Sequence, residues 1–370
     1  MTTPAAPAEI FGLLRFHARS AKTAVGVEAG DDWIRVASRR GRSGDEAWSF
    51  AALGPDGEGS DGGGGRSAVR RARDEARRRG VPRGPAVCAI SSAAVDIFPL
   101  TLRPTDAEPL DAQVVRHARD HLGERIEGAV LDYAVPPEEV WRPGDDAVPA
   151  LVFAARRDLV DGLLDRLERI GLRADRVVTP ACALAPHVDG AASGVRHLLI
   201  ATGEEATSVS VVENGHVLLE RMLPWGFRSL VERLRGELEL DDAQSRLLLT
   251  AGPGPIAGQD DDEEDAGPDG AMKGALRQVL EPEYQELAQE ASGCLGYANS
   301  FFRPAGTAAA ILTGPLAESA PLRLFLEEGL GMPVLGPSEG LRLPGFRGSG
   351  TAAAFATAAG CALWPGENGR

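Results

Sequence analysis

Apolar and polar residues alternate through TAVGVEAGDDWIRVASRRG on both sides of a Gly-Asp-Asp turn, a pattern that predicts a two-stranded hairpin. Residues from Trp48 to Leu53 add a third strand, and a Gly-rich loop follows at 54–65. In RSAVRRARDEARRRG, Val69, Ala72 and Ala76 recur at helical spacing while arginines take the other faces. That predicts a solvated helix with one thin apolar stripe; a binding role for its basic face is the alternative. PAVCAISS at 85–92 reads as a buried strand, VDIFPLTL as an extended segment, and PLDAQVVRHARDHL as a helix that Pro109 can start. LVFAARRDLVDGLLDRLERIGL switches from strand to helix. Leu159, Leu163, Leu164, Leu167 and Ile170 form its apolar face and Gly171 its end.

After the strand RADRVVTP and the short helix ACALAPHV, a second trio of strands begins: HLLIATG, ATSVSVVENG and HVLLERML. Asn214-Gly215 is a tight-turn signal between the last two. This trio repeats the order of the opening one, which predicts an α/β chain of two similar lobes facing one another across a cleft. The expected division is an N-terminal segment at 1–22 and a first lobe from 23–94 and 173–190. An inserted subdomain covers 95–172, a second lobe 191–363, and a tail 364–370. Within the second lobe, GPGPIAGQDDDEEDAGPDG predicts a solvated acidic loop at 252–270, because the run lacks the spaced ligands of a calcium loop. The helices EPEYQELAQEASGCLGYANSFF and TAAAFATAAGCAL and the strand AAAILTGPLA complete the pattern.

Composition changes this picture little. At 370 residues, 43% hydrophobic and 25% charged, the chain has the means to build a core for two lobes. The net charge of −15 argues against nucleic acid as a partner, and against direct membrane contact, since like charges repel. No run reaches the length of a membrane span, so a cytoplasmic protein is expected. Cys88, Cys182, Cys294 and Cys361 are scattered without ligand spacing and read as reduced core residues. His117 and His121 lie four apart on a helix without a third ligand, so no metal site is expected there. No nucleophile motif is present, and Ser91-Ser92 at a strand end has no base signal beside it.

The segments LDYAVP, RIGLRADRVVTPACALA, VVENGHVLLERMLPWGFRSL, QELAQEASGCLGYANSFF and AILTGPL together resemble the PilM family and, more distantly, FtsA. The resemblance runs from about residue 23 to 363. It implies a two-lobed actin-like (ribonuclease H-like) ATPase fold with a small α+β subdomain inserted in the first lobe. By the same resemblance ATP and magnesium would lie between the lobes. The cleft positions are Glu28, Gly30, Asp31 and Asp32 in the first turn, Thr202 and Gly203 in the second, Glu290 on a helix, and Gly314 in the adenosine turn.

At those positions the chain departs from the family pattern. The first turn reads Glu28-Ala29-Gly30 and continues with two carboxylates, Asp31 and Asp32, where hydroxyl donors to a polyanion are expected. The second reads Ala201-Thr202-Gly203, without the metal-orienting acid, followed by Glu204-Glu205. In the third, Gly314 is followed by Pro315, which lacks an amide donor. The expectation is a vestigial nucleotide cleft with no catalytic residues, no metal and no cofactor. The resemblance further implies a scaffold for a type IV pilus or type II secretion machine. It would bind the cytoplasmic tail of a PilN-like inner-membrane protein near 85–135, along with other inner-membrane components, and reach the membrane only through them. Homo-oligomers are a further option. The competing readings are an actin-like ATPase whose nucleotide state regulates assembly, and an FtsA-like filament tethered by the apolar cluster Ile10, Phe11, Leu13, Leu14 and Phe16.

Overall fold

A computed structural model describes residues 24–30, 33–40, 47–53, 73–103 apart from 75, 108–142, 147–190, 194–251, 268–346 and 350–364. The N-terminal segment with its apolar cluster, Asp31, Asp32, the Gly-rich loop, Val69, Ala72, nearly all of the acidic loop and the tail from 365 lie outside them.

Two five-stranded sheets carry the same topology. In the first, β1 (Ala24–Ala29), β2 (Ile34–Arg40) and β3 (Ala47–Leu53) form an antiparallel meander. β4 (Gly84–Ile90) and β8 (Leu172–Val178) continue from β1 in parallel, giving the order β3-β2-β1-β4-β8. In the second, β9 (Val195–Thr202), β10 (Thr207–Glu213) and β11 (His216–Leu223) form the meander. β12 (Gly306–Thr313) and β13 (Val334–Leu335) are the parallel continuation, order β11-β10-β9-β12-β13. Asn214 (φ 51°) and Gly215 (φ 76°) take the left-handed backbone that a tight hairpin turn demands.

Between β4 and β8 a third sheet is inserted: β5 (Val95–Leu102), β6 (Ala129–Ala134) and β7 (Val148–Arg156), ordered β5-β7-β6 and wholly antiparallel. Helix α1 (Leu110–Leu122) starts directly after Pro109 and lays Val114, Ala118 and Leu122 against Phe98, Leu131 and Val152. Arg142 anchors this unit to the second lobe, donating from Nε to the Phe302 carbonyl and from Nη2 to the Asn299 carbonyl, each at 3.3 Å.

Two helices pack differently from the division read in sequence. Helix α2 (Arg157–Ile170), expected within the inserted subdomain, buries Val160, Leu163, Leu167 and Ile170 in one cluster with β1, β2, β4 and β8 of the first sheet. Its apolar stripe matches that sheet, and Gly171 (φ 89°) turns the chain straight into β8. After α3 (Pro180–Leu184), the second lobe adds α4 (Phe227–Leu238), α5 (Asp242–Ala251), α6 (Pro268–Phe301), α7 (Ala320–Leu330) and α8 (Pro337–Gly340). The last helix, α9 (Ala356–Ala362), expected with the second lobe, lies on the first sheet instead. Gly26 of β1 explains it: a Cβ there would sit 1.9 Å from the Ala358 carbonyl oxygen and 2.2 Å from the Ala362 nitrogen. Only a glycine lets backbone meet backbone so closely.

Helix α6 begins at Pro268, so the last three positions of the expected acidic loop are helical, and it runs through Pro282. All four cysteines are free; Cys88, Cys294 and Cys361 are buried and Cys182 is half-buried. No helix among the described residues is long and apolar enough to cross a membrane. His121 stacks on Phe98 with ring centroids 4.0 Å apart, which accounts for its place on the helix. No group of three or more metal-ligating side chains converges among the described residues.

Candidate functional site

The duplicated meanders bring two turns together: the one after β1, and the one between β9 and β10. Hairpin register places Arg35 directly across from Glu28, so opposite charges face each other on the ladder. Arg35 Nη1 stands 3.6 Å from Glu28 Oε2, and both side chains are nearly inaccessible. The second guanidinium arm crosses the cleft and forms a short ion pair with Glu204 of the second turn. The guanidinium also stacks on Trp33 of its own hairpin, its carbon 4.6 Å from the ring centroid. Trp33 in turn donates from Nε1 to Glu205 Oε2 across the cleft, at 3.0 Å. Arg228, at the start of α4, holds the other Glu205 oxygen at 3.2 Å.

Backbone contacts tighten the same place. Arg166 of α2 donates to the Gly30 carbonyl at 2.7 Å, and the Ser91 amide to the Ala29 carbonyl at 2.8 Å. A Cβ on Gly30 would lie 2.2 Å from Trp33 Nε1 and 2.4 Å from Glu205 Oε2, and one on Gly203 would lie 2.3 Å from Ser91 Oγ. Gly314 (φ 89°) closes the group, since its Cβ would lie 1.8 Å from the Thr202 carbonyl oxygen. Thr202 is fully used in place: its hydroxyl donates to the Thr313 carbonyl at 2.7 Å and accepts from the Leu316 amide at 3.2 Å.

Electrostatics follow burial. Glu28 is 1% exposed, and desolvation first, aided by the charge of Glu204 and opposed by Arg35, pushes its carboxyl up to about 7. Glu28 therefore titrates near neutrality, while Arg35 keeps Glu204 as a partner when Glu28 is protonated.

Of the positions singled out in sequence, Glu28, Gly30, Thr202, Gly203 and Gly314 meet in this cluster. Asp31 and Asp32 lie outside the described residues. Glu290 faces Arg221 of the edge strand β11 at 3.7 Å, two strands from β9, and makes none of the turn contacts described above. Trp33, Arg35, Ser91, Arg166 and Arg228 are the cluster members that sequence reasoning missed. For Arg35 a signal exists, because the hairpin's centre fixes its register against Glu28; the contacts of Trp33 and Ser91 cross between lobes, and those of Arg166 and Arg228 join separate elements of one lobe, so none leaves a local trace.

With sheets and cleft described, the class is that of the two-lobed actin-like ATPase fold. Among solved structures, the chain is similar over 93% of its length to 98% of a chain of the PilM–PilN type IV pilus biogenesis complex, at 21% identity and a TM-score of 0.69. Weaker similarity, at a TM-score of 0.47 and 12% identity over 96% of this chain and 95% of the other, links it to the ethanolamine utilization protein EutJ from Carboxydothermus hydrogenoformans. MreB 5 of Spiroplasma citri bound to AMPPNP follows at 0.43 and 8%, over 93% and 96%. No protein-family model and no curated protein matches the chain in sequence.

Proposed function

We propose that this chain is a cytoplasmic scaffold of a type IV pilus or related type II secretion machine, recruited to the inner membrane through the tail of a PilN-like protein. The observation that carries this reading is the near full-length fold likeness to a chain of a PilM–PilN complex. A binding place for a short tail is available between the inserted sheet and the first lobe. There, Ala93, Asp96, Leu122, Arg125, Ala155 and Asp161 belong to the lining of a groove of about 780 Å³. Small residues along it leave room for a peptide backbone. Its rim carries the ion pairs Arg125–Asp96, at 2.8 Å, and Arg156–Asp158, which suits a tail with charges of both signs. A synthetic tail peptide from the neighbouring inner-membrane protein should bind the intact chain by calorimetry, and Ala155→Trp should abolish binding by filling the groove. No heat with the intact chain sinks the reading.

The same proposal makes the cleft a pseudo-ATPase site. Magnesium triphosphate does not fit the residues as arranged: the Glu205 carboxylate and the Trp33 indole press on Gly30, whose amide already donates to the Trp33 carbonyl at 3.2 Å. Anionic phosphates would meet the carboxylates of Glu204 and Glu205 and would have to compete with them for Arg35, Arg228 and the Trp33 N–H. A second reading, ATP binding that regulates assembly, draws on the three glycines that still converge there. Calorimetry with magnesium-ATP separates the two: micromolar binding favours the second, and silence at millimolar nucleotide the first.

A further inference from the structure

Away from the cleft, the first lobe carries the chain's densest positive charge. Residues 66–83 hold eight arginines against Asp74 and Glu75, in a protein of net charge −15. Among the described residues of this run, Arg73, Arg77 and Arg83 line a cavity of about 340 Å³ together with Val81 and Ile170. No carboxylate of the described residues is part of that lining.

Two of the three arginines are anchored in ways that aim them. Arg73 Nη2 donates to the Glu168 carbonyl at 3.4 Å, near the end of α2. The stem of Arg83 crosses Gly171, close enough that a Cβ there would lie 3.3 Å from Arg83 Cγ. Both cations thus sit at the C-terminal end of α2, where a helix favours positive charge. Helix complementation accounts for those two and leaves Arg77 unexplained. Arg77 is exposed and has no carboxylate partner among the described residues. A guanidinium that gives one N–H to a carbonyl keeps most of its donors. Three like charges facing one cavity repel, and an anion seated among them relieves that repulsion.

We propose that this cavity binds a phosphate group carried on an organic ester. The planar forks match phosphate oxygens in a bidentate way, which is the usual reason for arginine over lysine at such sites. Val81 and Ile170 give the ester's apolar neighbour a surface to lie on, and a cavity of about 340 Å³ exceeds the needs of a bare inorganic ion. The inference is independent of the scaffold reading and of the cleft.

The test uses the full chain with two probes: glycerol 3-phosphate by calorimetry, and flotation with vesicles of phosphatidylglycerol against vesicles of phosphatidylcholine. Binding of glycerol 3-phosphate places the ligand among soluble esters, and binding of phosphatidylglycerol vesicles alone places it among lipid headgroups; either supports the site. Arg73→Gln/Arg77→Gln/Arg83→Gln should weaken whichever binding is seen by about tenfold or more, as lost charge-assisted hydrogen bonds would. The corresponding triple lysine variant should fall between, since it keeps the charge and loses the forks. Arg77→Gln alone, at an exposed side chain, guards against misfolding and should weaken binding several-fold. Absence of binding to both probes, or unchanged binding by the triple glutamine and Arg77→Gln variants, overturns the proposal.

Discussion

Glu28 and Glu220 are 1% and 0% exposed, in different surroundings, yet burial pushes both carboxyls from the ordinary glutamate value up to about 7. Around Glu220 the Thr179 hydroxyl donates at 2.5 Å and the Ser208 hydroxyl at 2.7 Å, both opposing the shift without cancelling it. A carboxyl whose pKa is raised by folding binds its proton more tightly in the native state. Stability from these two groups is therefore fully present below about 4.5 and is lost as pH rises to about 7, by about 3 kcal/mol per group. Chemical denaturation at a series of pH values should show a falling contribution across that window, and Glu28→Gln with Glu220→Gln should flatten it. A slope that persists in the double variant would assign it to other groups. Glu220→Ala is a separate matter: it also strands two buried hydroxyls and should cost about 2–4 kcal/mol below about pH 4.5, a cost that shrinks as pH rises to about 7.

Between elements, glycine marks where the chain approaches itself. Gly26→Ala must move α9 off β1, because the added carbon collides with backbone rather than with a flexible side chain. A loss of about 3 kcal/mol or more is expected by urea unfolding. Gly236→Ala, inside α4 and with nothing within 4 Å, is the opposite case and should stabilise by about 0.5–1 kcal/mol through helix propensity. This contrast bears on what the sequence could reveal. Strands β1 to β3 and β9 to β11 were legible because alternation and turn residues are local signals, as were the helix start at Pro109 and the stop at Gly171. The seat of α9 was not. Its run of alanines says only that something packs closely, and the matching Gly26 lies more than three hundred residues away. The cleft was half legible for the same reason: glycine turns announce themselves, whereas the pairing of Arg35 with Glu204 depends on how two lobes meet. Glu290 is assigned to the cleft by resemblance alone, and its pairing with Arg221 is a contact between elements that the sequence does not announce.

At the scale of the whole molecule, the question is what holds the lobes in register. Protein groups span the cleft at its narrowest point: Arg35 to Glu204, Trp33 to Glu205, and Ser91 against Gly203. These contacts link residues more than a hundred positions apart, so they act on lobe orientation more than on either lobe's own core. The Arg35 and Glu204 side chains are 8% and 15% exposed, where a paired charge is only weakly screened and an unpaired one is costly. Arg35→Ala should therefore loosen the interface strongly, and Glu204→Ala less, because Arg35 then retains Glu28. A double-mutant cycle on Arg35 and Glu204 should give a coupling of about 1–3 kcal/mol. The readout that belongs to this scale is shape. In small-angle scattering, Arg35→Ala should enlarge the radius of gyration while the far-ultraviolet circular dichroism of the chain is unchanged; Trp33→Phe, which removes the hydrogen bond to Glu205 but keeps a ring beneath Arg35, should enlarge it less. If Arg35→Ala leaves the scattering profile unchanged while coupling is measured, the bridge adds stability across the cleft without setting the angle between the lobes, and their orientation must rest on α9 and on Arg142 at the inserted sheet.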